Sequence, residues 1–292
     1  MYSLYYSPIA RKLGLAKTTA WGCALRKVTS GYDTILKGEK NIPFEVIDNT
    51  DDYWFADPLL FAEGDKTWLF VEAFNKKAKK GEIGVFDIVE GKAQNFHILI
   101  QTPTHMSYPF VFKYRDEYYM IPETGAAGNI ALYKSKNFPY DWGIDTILLE
   151  GGVYRDTTVI KNDDGTLTLL SYKQEGTNRF NQKNTFTVFS LDMEAKKLLK
   201  KSEFLDKKKV NRPAGPCFTV NGKAYRVSQK CNRAYGEAMY VYQDTDGKYE
   251  NATKVNLFDG SNIQLSSGGK VVLTHTYSQA GGHEVVDYRC LI

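Results

Sequence analysis

From Asp57 onward one unit recurs five times along the chain: a first strand, a tight polar turn, a second strand and a third. The first strands read Asp57-Pro58-Leu59-Leu60-Phe61, Tyr108-Pro109-Phe110-Val111-Phe112, Asp156-Thr157-Thr158-Val159-Ile160, Ala214-Gly215-Pro216-Cys217-Phe218 and Gly260-Ser261-Asn262-Ile263-Gln264. Turns such as Glu63-Gly64-Asp65, Asp163-Asp164-Gly165 and Asn221-Gly222-Lys223 follow, because a tight hairpin needs residues that tolerate positive φ. The second strands end at Glu72, Glu123, Ser171, Gln229 and His275. The starts, at Asp57, Tyr108, Asp156, Ala214 and Gly260, lie 51, 48, 58 and 46 residues apart, and the second-strand ends keep the same spacing. A period of about 50 residues with three or four strands per unit is the size of a propeller blade. The spacing therefore predicts an all-β chain folded as a five-bladed β-propeller. A β-sandwich also uses short strands but repeats no unit of this length.

Composition agrees with a folded, strand-rich chain: 42% hydrophobic and 25% charged over 292 residues, with 14% aromatics and nine prolines. Residues 1–50 read as a lead-in, with a short helix over Ile9 to Ala16 and strands at Trp21 to Leu25 and Phe44 to Asp48, one of which closes the last blade. Residues 51–292 read as the propeller. The cysteines Cys23, Cys217, Cys231 and Cys290 form no CxxC, so neither a zinc site nor a dense disulfide framework is signalled. The N-terminus lacks the basic start and apolar core of an export signal, and no run of about 18 apolar residues exists. A cytoplasmic protein without a membrane span is expected. The net charge of +4 is scattered over turns such as Lys207-Lys208-Lys209, which argues against a nucleic-acid partner.

In a blade the first strand lines the central channel and the second runs antiparallel beside it. The start of one and the end of the other then meet at the same rim. This brings Asp57, Tyr108 and Asp156 together with Glu72, Glu123, Gln229 and His275, and Arg155 and Arg212 stand close by in sequence. Asp57, Glu72, Glu123 and Asp156 are acids at positions where strands usually carry apolar side chains. Clustered carboxylates disfavour joint ionisation, which lets one serve as acid and another as base. Taken singly, Asp57 or Asp156 reads as a cap on backbone N–H groups at a strand start. The candidate site rests on the group.

Six motifs, Trp54-Phe55-Ala56-Asp57-Pro58, Ser107-Tyr108-Pro109-Phe110, Ile121-Pro122-Glu123-Thr124, Asp156-Thr157-Thr158, Arg212-Pro213-Ala214-Gly215 and Thr274-His275-Thr276-Tyr277, carry a more specific signal. In this order they resemble the N-terminal domain of glucosamine inositolphosphorylceramide transferase proteins, from about Trp21 to the C-terminus. Bacterial relatives of that domain are often encoded beside surface-polysaccharide biosynthesis genes. The domain is similar in turn to the five-bladed propellers of family-43 glycoside hydrolases and fructan-active enzymes. That resemblance implies Asp57 as base or nucleophile and Asp156 as the residue that orients and tunes. The Glu that should supply the proton at a later blade start is replaced by Ala214, which leaves Glu123 or Glu72 for that role. The resemblance also implies a divalent cation on the axis near His275, beside the simpler reading of a satisfied structural histidine. In the plant proteins a separate C-terminal domain carries the glycosyltransferase activity, so the transfer reaction is not expected of this segment.

The catalytic candidates are Asp57, Asp156 and Glu123. The substrate-binding candidates are Glu72, Tyr108, Arg155, Arg212, Gln229 and His275. The expected function is binding of a glycan or sugar nucleotide at the acidic mouth, in surface-polysaccharide or glycoconjugate metabolism, with or without action on a glycosidic bond. The alternative is a non-catalytic scaffold that docks a glycosyltransferase partner.

Overall fold

The computed structural model describes residues 17–28, 31–38, 42–176, 182–245, 247 and 249–292; the helix expected over Ile9 to Ala16 lies outside them. Five antiparallel sheets form the blades of a propeller. Blade one is Tyr53–Glu63, Lys66–Asn75, Lys80–Val89 and Lys92–Ile100. Blade two is Ser107–Tyr114, Glu117–Glu123, Asn129–Asn137 and Asp141–Glu150. Blade three is Val153–Lys161, Leu167–Glu175, Lys183–Asp192 and Lys197–Leu205. In blade four the inner strand is broken into Arg212–Pro213 and Phe218–Val220, and Lys223–Lys230, Ala238–Asp244 and Thr253–Phe258 follow outward.

Blade five joins the two ends of the chain. Its inner strand Tyr277–Ala280 pairs with His283–Cys290, which pairs with Gly22–Lys27, which pairs with Glu45–Ile47. The lead-in therefore supplies two closing strands rather than one. Arg26 and Glu284 stand opposite each other across this seam and form a buried ion pair of 2.6 Å, which Thr34 joins through its hydroxyl.

The apolar cores lie between neighbouring blades. Cys23, Leu25 and Val285 of blade five pack on Phe55, Leu69 and Phe86 of blade one, and Phe70, Ile83 and Val85 of blade one pack on Met120 and Tyr133 of blade two. Because each blade is covered on both faces, its second strand is apolar without alternation: Leu69, Phe70 and Val71 are all fully buried. Burying each such side chain contributes about 1.5–3 kcal/mol.

The repeated strand starts have a shared geometry. In blades one to three the first strand carries one extra residue between Ala56 and Leu59, Ser107 and Phe110, and Arg155 and Thr158. At each bulge the leading residue is left-handed: Asp57 at φ 47°, Tyr108 at 45° and Asp156 at 47°. A bulge re-aims a side chain out of the pleat, and a left-handed non-glycine residue carries strain of about 1–3 kcal/mol. The motif at the blade starts is thus a device for turning one side chain inward.

The fifth repeat needs a correction. Gly260-Ser261-Asn262 is a 3-10 turn capped by Asp259, not an inner strand, and Val271–Leu273 pairs with the far end of His283–Cys290. The glycine, serine and asparagine that suggested a strand start instead satisfy a capping box. His275 accordingly stands just before the inner strand of blade five and not at the end of a second strand.

Candidate functional site at the propeller mouth

Asp57 comes from the bulge of blade one and Glu72 from the neighbouring strand, where it lies one pair beyond the bulge, opposite Ala56. Glu123 occupies the same place in blade two, opposite Ser107. Asp156 comes from the bulge of blade three. All four carboxyl groups are buried.

Two guanidiniums divide this group. Arg212 donates from Nε and Nη2 to the two oxygens of Asp156, the latter at 3.0 Å, and Nη2 also reaches Glu123 Oε2 at 3.2 Å. Arg155 donates from Nη1 to Glu123 Oε1. Gln229, fully buried, donates from Nε2 to Asp156 Oδ2 at 2.7 Å and to the Pro213 carbonyl at 3.1 Å. Glu123 and Asp156 therefore sit in a ladder of charge-assisted hydrogen bonds. A carboxylate with guanidinium donors on both oxygens is built to hold and orient rather than to hand over a proton. Burial pushes the Asp156 carboxyl up to about 6, with Glu123 adding to the rise and Arg212 opposing it.

Among the described residues, Asp57 and Glu72 have no such partner. Asp57 Oδ1 accepts from the Thr276 hydroxyl at 2.9 Å and lies 3.9 Å from His275 Nε2. Glu72 Oε1 faces His105 Nε2 at 3.6 Å, too long for a hydrogen bond, while His105 Nδ1 accepts from Gly81 N–H at 2.8 Å. Burial raises both carboxyls above their ordinary values, and the negative charge of Asp156 adds to both shifts; His275 partly offsets the rise at Asp57. Glu72 is raised further by Asp57 itself.

His275 is held on every side. Its ring is stacked on Trp21 at 4.2 Å and 9°, and its Nδ1 meets Asp287. Asp287 Oδ1 accepts from the backbone N–H of His275 at 2.8 Å and of Thr276 at 3.0 Å. Burial opposes protonation of His275, and Asp287 outweighs it, so its pKa is raised. Asp57, His275 and Asp287 each offer one ligand atom within 4.8 Å of the others. Two carboxylates and an imidazole suit a divalent cation in donor type, with further oxygens needed to complete its shell.

Of the residues expected at the mouth, Asp57, Glu72, Glu123, Arg155, Asp156, Arg212, Gln229 and His275 converge there. Tyr108 shares the bulge geometry, but it is fully buried and its hydroxyl is bonded to Thr158 Oγ1 at 2.8 Å, so it ties blade two to blade three. Asp287, His105, Trp21 and Tyr235, whose ring meets His275 edge-on at 4.9 Å, were missed from the sequence, and Thr276 was quoted only as part of a motif without a role. Only Asp287 left a signal, as an acid inside the apolar run Val285-Val286-Asp287-Tyr288. A cleft of about 580 Å³ lies elsewhere, between blades three and four, lined by Ile160, Cys217, Tyr225 and Tyr249. No mouth carboxylate borders it, and the chemistry places the candidate site at the mouth.

The fold is shared with solved glycoside hydrolases. A thermostable family-43 glycoside hydrolase superposes with a TM-score of 0.58 at 13% identity, over 82% of this chain and 89% of that one. The catalytic domain of a Coprinopsis cinerea GH62 α-L-arabinofuranosidase superposes with a TM-score of 0.58 at 13% identity, over 91% of this chain and 97% of that one. Among curated proteins, glucosamine inositolphosphorylceramide transferase 1 of Arabidopsis thaliana is 30% identical over 193 residues, 64% of this chain and 25% of the relative. The protein of the same name from Oryza sativa subsp. indica is 30% identical over 205 residues, again 64% of this chain and 26% of the relative. The chain thus spans about a quarter of the length of the curated relatives it matches. The model of one family matches residues 46–261, a stretch that contains Asp57, Glu72, Glu123, Arg155, Asp156, Arg212 and Gln229 and stops short of His275. On that match the chain belongs to the family described as glucosamine inositolphosphorylceramide transferase 1, N-terminal.

Proposed function

We propose that this propeller binds a glycan or sugar nucleotide at its mouth, as a carbohydrate-handling protein of glycoconjugate or surface-polysaccharide metabolism. The observation that carries this reading is the division of the four acids. Asp57 and Glu72 offer free acceptor oxygens from blade one. Facing them, the Arg155–Glu123–Arg212–Asp156 ladder offers donors and acceptors in alternation. A ring of hydroxyls, each both donor and acceptor, is the ligand chemistry that matches such a surface. The name of the curated relatives, which contains glucosamine and inositolphosphorylceramide, and the glycoside hydrolases that share the fold support the same class of ligand.

A second reading has one observation in its favour. Among the described residues Asp57 is not consumed by backbone hydrogen bonds, and its raised pKa together with that of Glu72 suits an acid–base pair acting on a glycosidic bond. With Glu123 and Asp156 held by guanidiniums, Glu72 is the acid this reading requires. A cation held by Asp57, His275 and Asp287 would supply positive charge for sugar hydroxyls in either case.

A glycan and sugar-nucleotide array probed with wild type and Asp57→Ala tests the proposal, followed by turnover assays with Asp57→Asn and Glu72→Gln on whatever is retained. Retention by wild type that is lost in Asp57→Ala supports binding at the mouth, and turnover lost in both conservative variants supports the second reading. An array on which wild type retains nothing removes both.

A further inference from the structure

The connection 231–237, between the second and third strands of blade four, carries an aromatic side chain into the mouth. Tyr235 is 48% exposed. Other large apolar side chains left exposed, such as Ile144, Leu199 and Val255, stand on outer strands. Single exposed apolar residues of that kind need no explanation. Tyr235 differs because the chain around it is fixed. The connection is pinned at its start by Cys231 N–H to the Lys209 carbonyl at 2.9 Å, and at its end by Thr274 N–H to the Gly236 carbonyl at 2.9 Å. A buried Lys230–Glu237 ion pair closes its base. Gly236 is left-handed at φ 69°, and a Cβ there would come within 2.7 Å of the Trp21 ring. The turn is thus seated on the same indole that stacks on His275.

The Tyr235 ring crosses that stack at a steep angle, 4.9 Å from the His275 centroid and 6.3 Å from that of Trp21. The Arg212 guanidinium lies over it, 5.5 Å from the centroid. Among the described residues its hydroxyl accepts or donates no hydrogen bond, so the contacts of its ring with His275, Trp21 and Arg212 fix its position while its polar end stays without a partner. Arg212 lies over the ring and is itself part of the ion-pair ladder, so Tyr235, with about half of its surface exposed, stands beside that ladder.

We propose that Tyr235 is the stacking residue of the mouth, the platform against which the apolar C–H face of a pyranose ring lies while the ring's hydroxyls meet the carboxylates and guanidiniums. This rests on the carbohydrate reading above and adds to it the requirement for a cyclic sugar. An aromatic face is electron-rich and attracts C–H bonds polarised by neighbouring oxygens, and Tyr places that face with only two side-chain torsions to order. The steep contacts with His275 and Trp21 hold the ring upright before a ligand arrives. Tyr235 is therefore a specificity residue, selecting ring sugars over open-chain polyols that carry the same hydroxyls.

The test is titration of the full chain with methyl β-D-glucopyranoside, N-acetylglucosamine, UDP-N-acetylglucosamine and sorbitol, using wild type, Tyr235→Ala, Tyr235→Phe and Tyr235→Trp. Wild type is expected to bind at least one ring sugar more tightly than sorbitol. Tyr235→Ala should weaken that sugar about 3- to 10-fold, the increment of one aromatic contact, with Tyr235→Phe close to wild type. Tyr235→Trp should keep the affinity and shift its added emission to the blue as the sugar covers it. Ring-sugar affinity unchanged in Tyr235→Ala, or a Tyr235→Trp emission indifferent to bound sugar, overturns the platform and leaves the carbohydrate reading standing. Absence of binding to every probe by wild type overturns both.

Discussion

Arg212 and Asp156 form a two-point ion pair across the boundary between blades four and three, with Nη2 to Oδ1 at 3.0 Å, and the same Nη2 continues to Glu123. One guanidinium thus secures acids from two blades. It comes from Arg212–Pro213, the first piece of the broken inner strand of blade four.

Replacing Arg212 leaves two buried carboxylates short of a partner. Arg212→Met should destabilise the fold by about 3–5 kcal/mol, the cost of breaking a buried pair from one side. Arg212→Lys should lose less, since it keeps the charge and gives up only the fork geometry. Chemical denaturation of the three proteins measures this. Equal stability of Arg212→Met and wild type would show that the ladder is not a structural element.

Glu72 makes stability depend on pH in a direction opposite to an ordinary ion-paired acid. Burial, then the charges of Asp57, Glu123 and Asp156, raise its carboxyl well above the ordinary 4.5. For a raised carboxyl the folded state favours the protonated form, so its contribution is fully present below the ordinary value and is lost as pH rises through the folded one. Glu72→Gln removes that loss. The variant should match wild type near pH 4 and become the more stable protein, with the higher Tm, as pH climbs through the range in which the buried Glu72 ionises. A gap between the two melting curves that stays constant with pH would contradict the assignment.

Gly215 marks the junction of blades four and five. It has φ 145°, and a Cβ there would lie 1.9 Å from the Tyr277 carbonyl oxygen, a backbone atom at the centre of the inner strand contact. Gly215→Ala should therefore cost about 2–4 kcal/mol and lower Tm by roughly 5–15 °C. Differential scanning calorimetry reads this directly, and a melting temperature within about 1 °C of wild type would show that the junction yields.

The blades were legible because each second strand, covered on both faces, is a continuous apolar run bounded by turn residues, and because the bulge repeats with the blade. Leu69-Phe70-Val71 and Met120-Ile121 announce themselves in this way. In the fifth blade the strand around Val285-Val286-Asp287-Tyr288 and closure by the lead-in were legible, but the inner strand was not. Its inner strand, Tyr277-Ser278-Gln279-Ala280, is short and polar, and its outer strands come from the other end of the chain. Asp57, Glu72, Glu123 and Asp156 followed from register alone. What register cannot convey is which acids a guanidinium claims. That depended on the reach of Arg155 and Arg212 across blade boundaries, just as the surroundings of His275 depended on Trp21, some 250 residues away in sequence.

The account stands on Asp57 and Glu72 being open acceptors for a sugar, and calorimetric titration of wild type and Asp57→Asn with the tightest ligand from the array tests it most directly. Among the described residues Asp57 makes one side-chain hydrogen bond, to Thr276, and none to the backbone, so Asp57→Asn should leave Tm within a few degrees of wild type or raise it, while weakening the sugar at least about 10-fold, the loss of a charge-assisted hydrogen bond. Equal affinity in the two proteins at unchanged Tm would place the sugar elsewhere and contradict the mouth as the binding site.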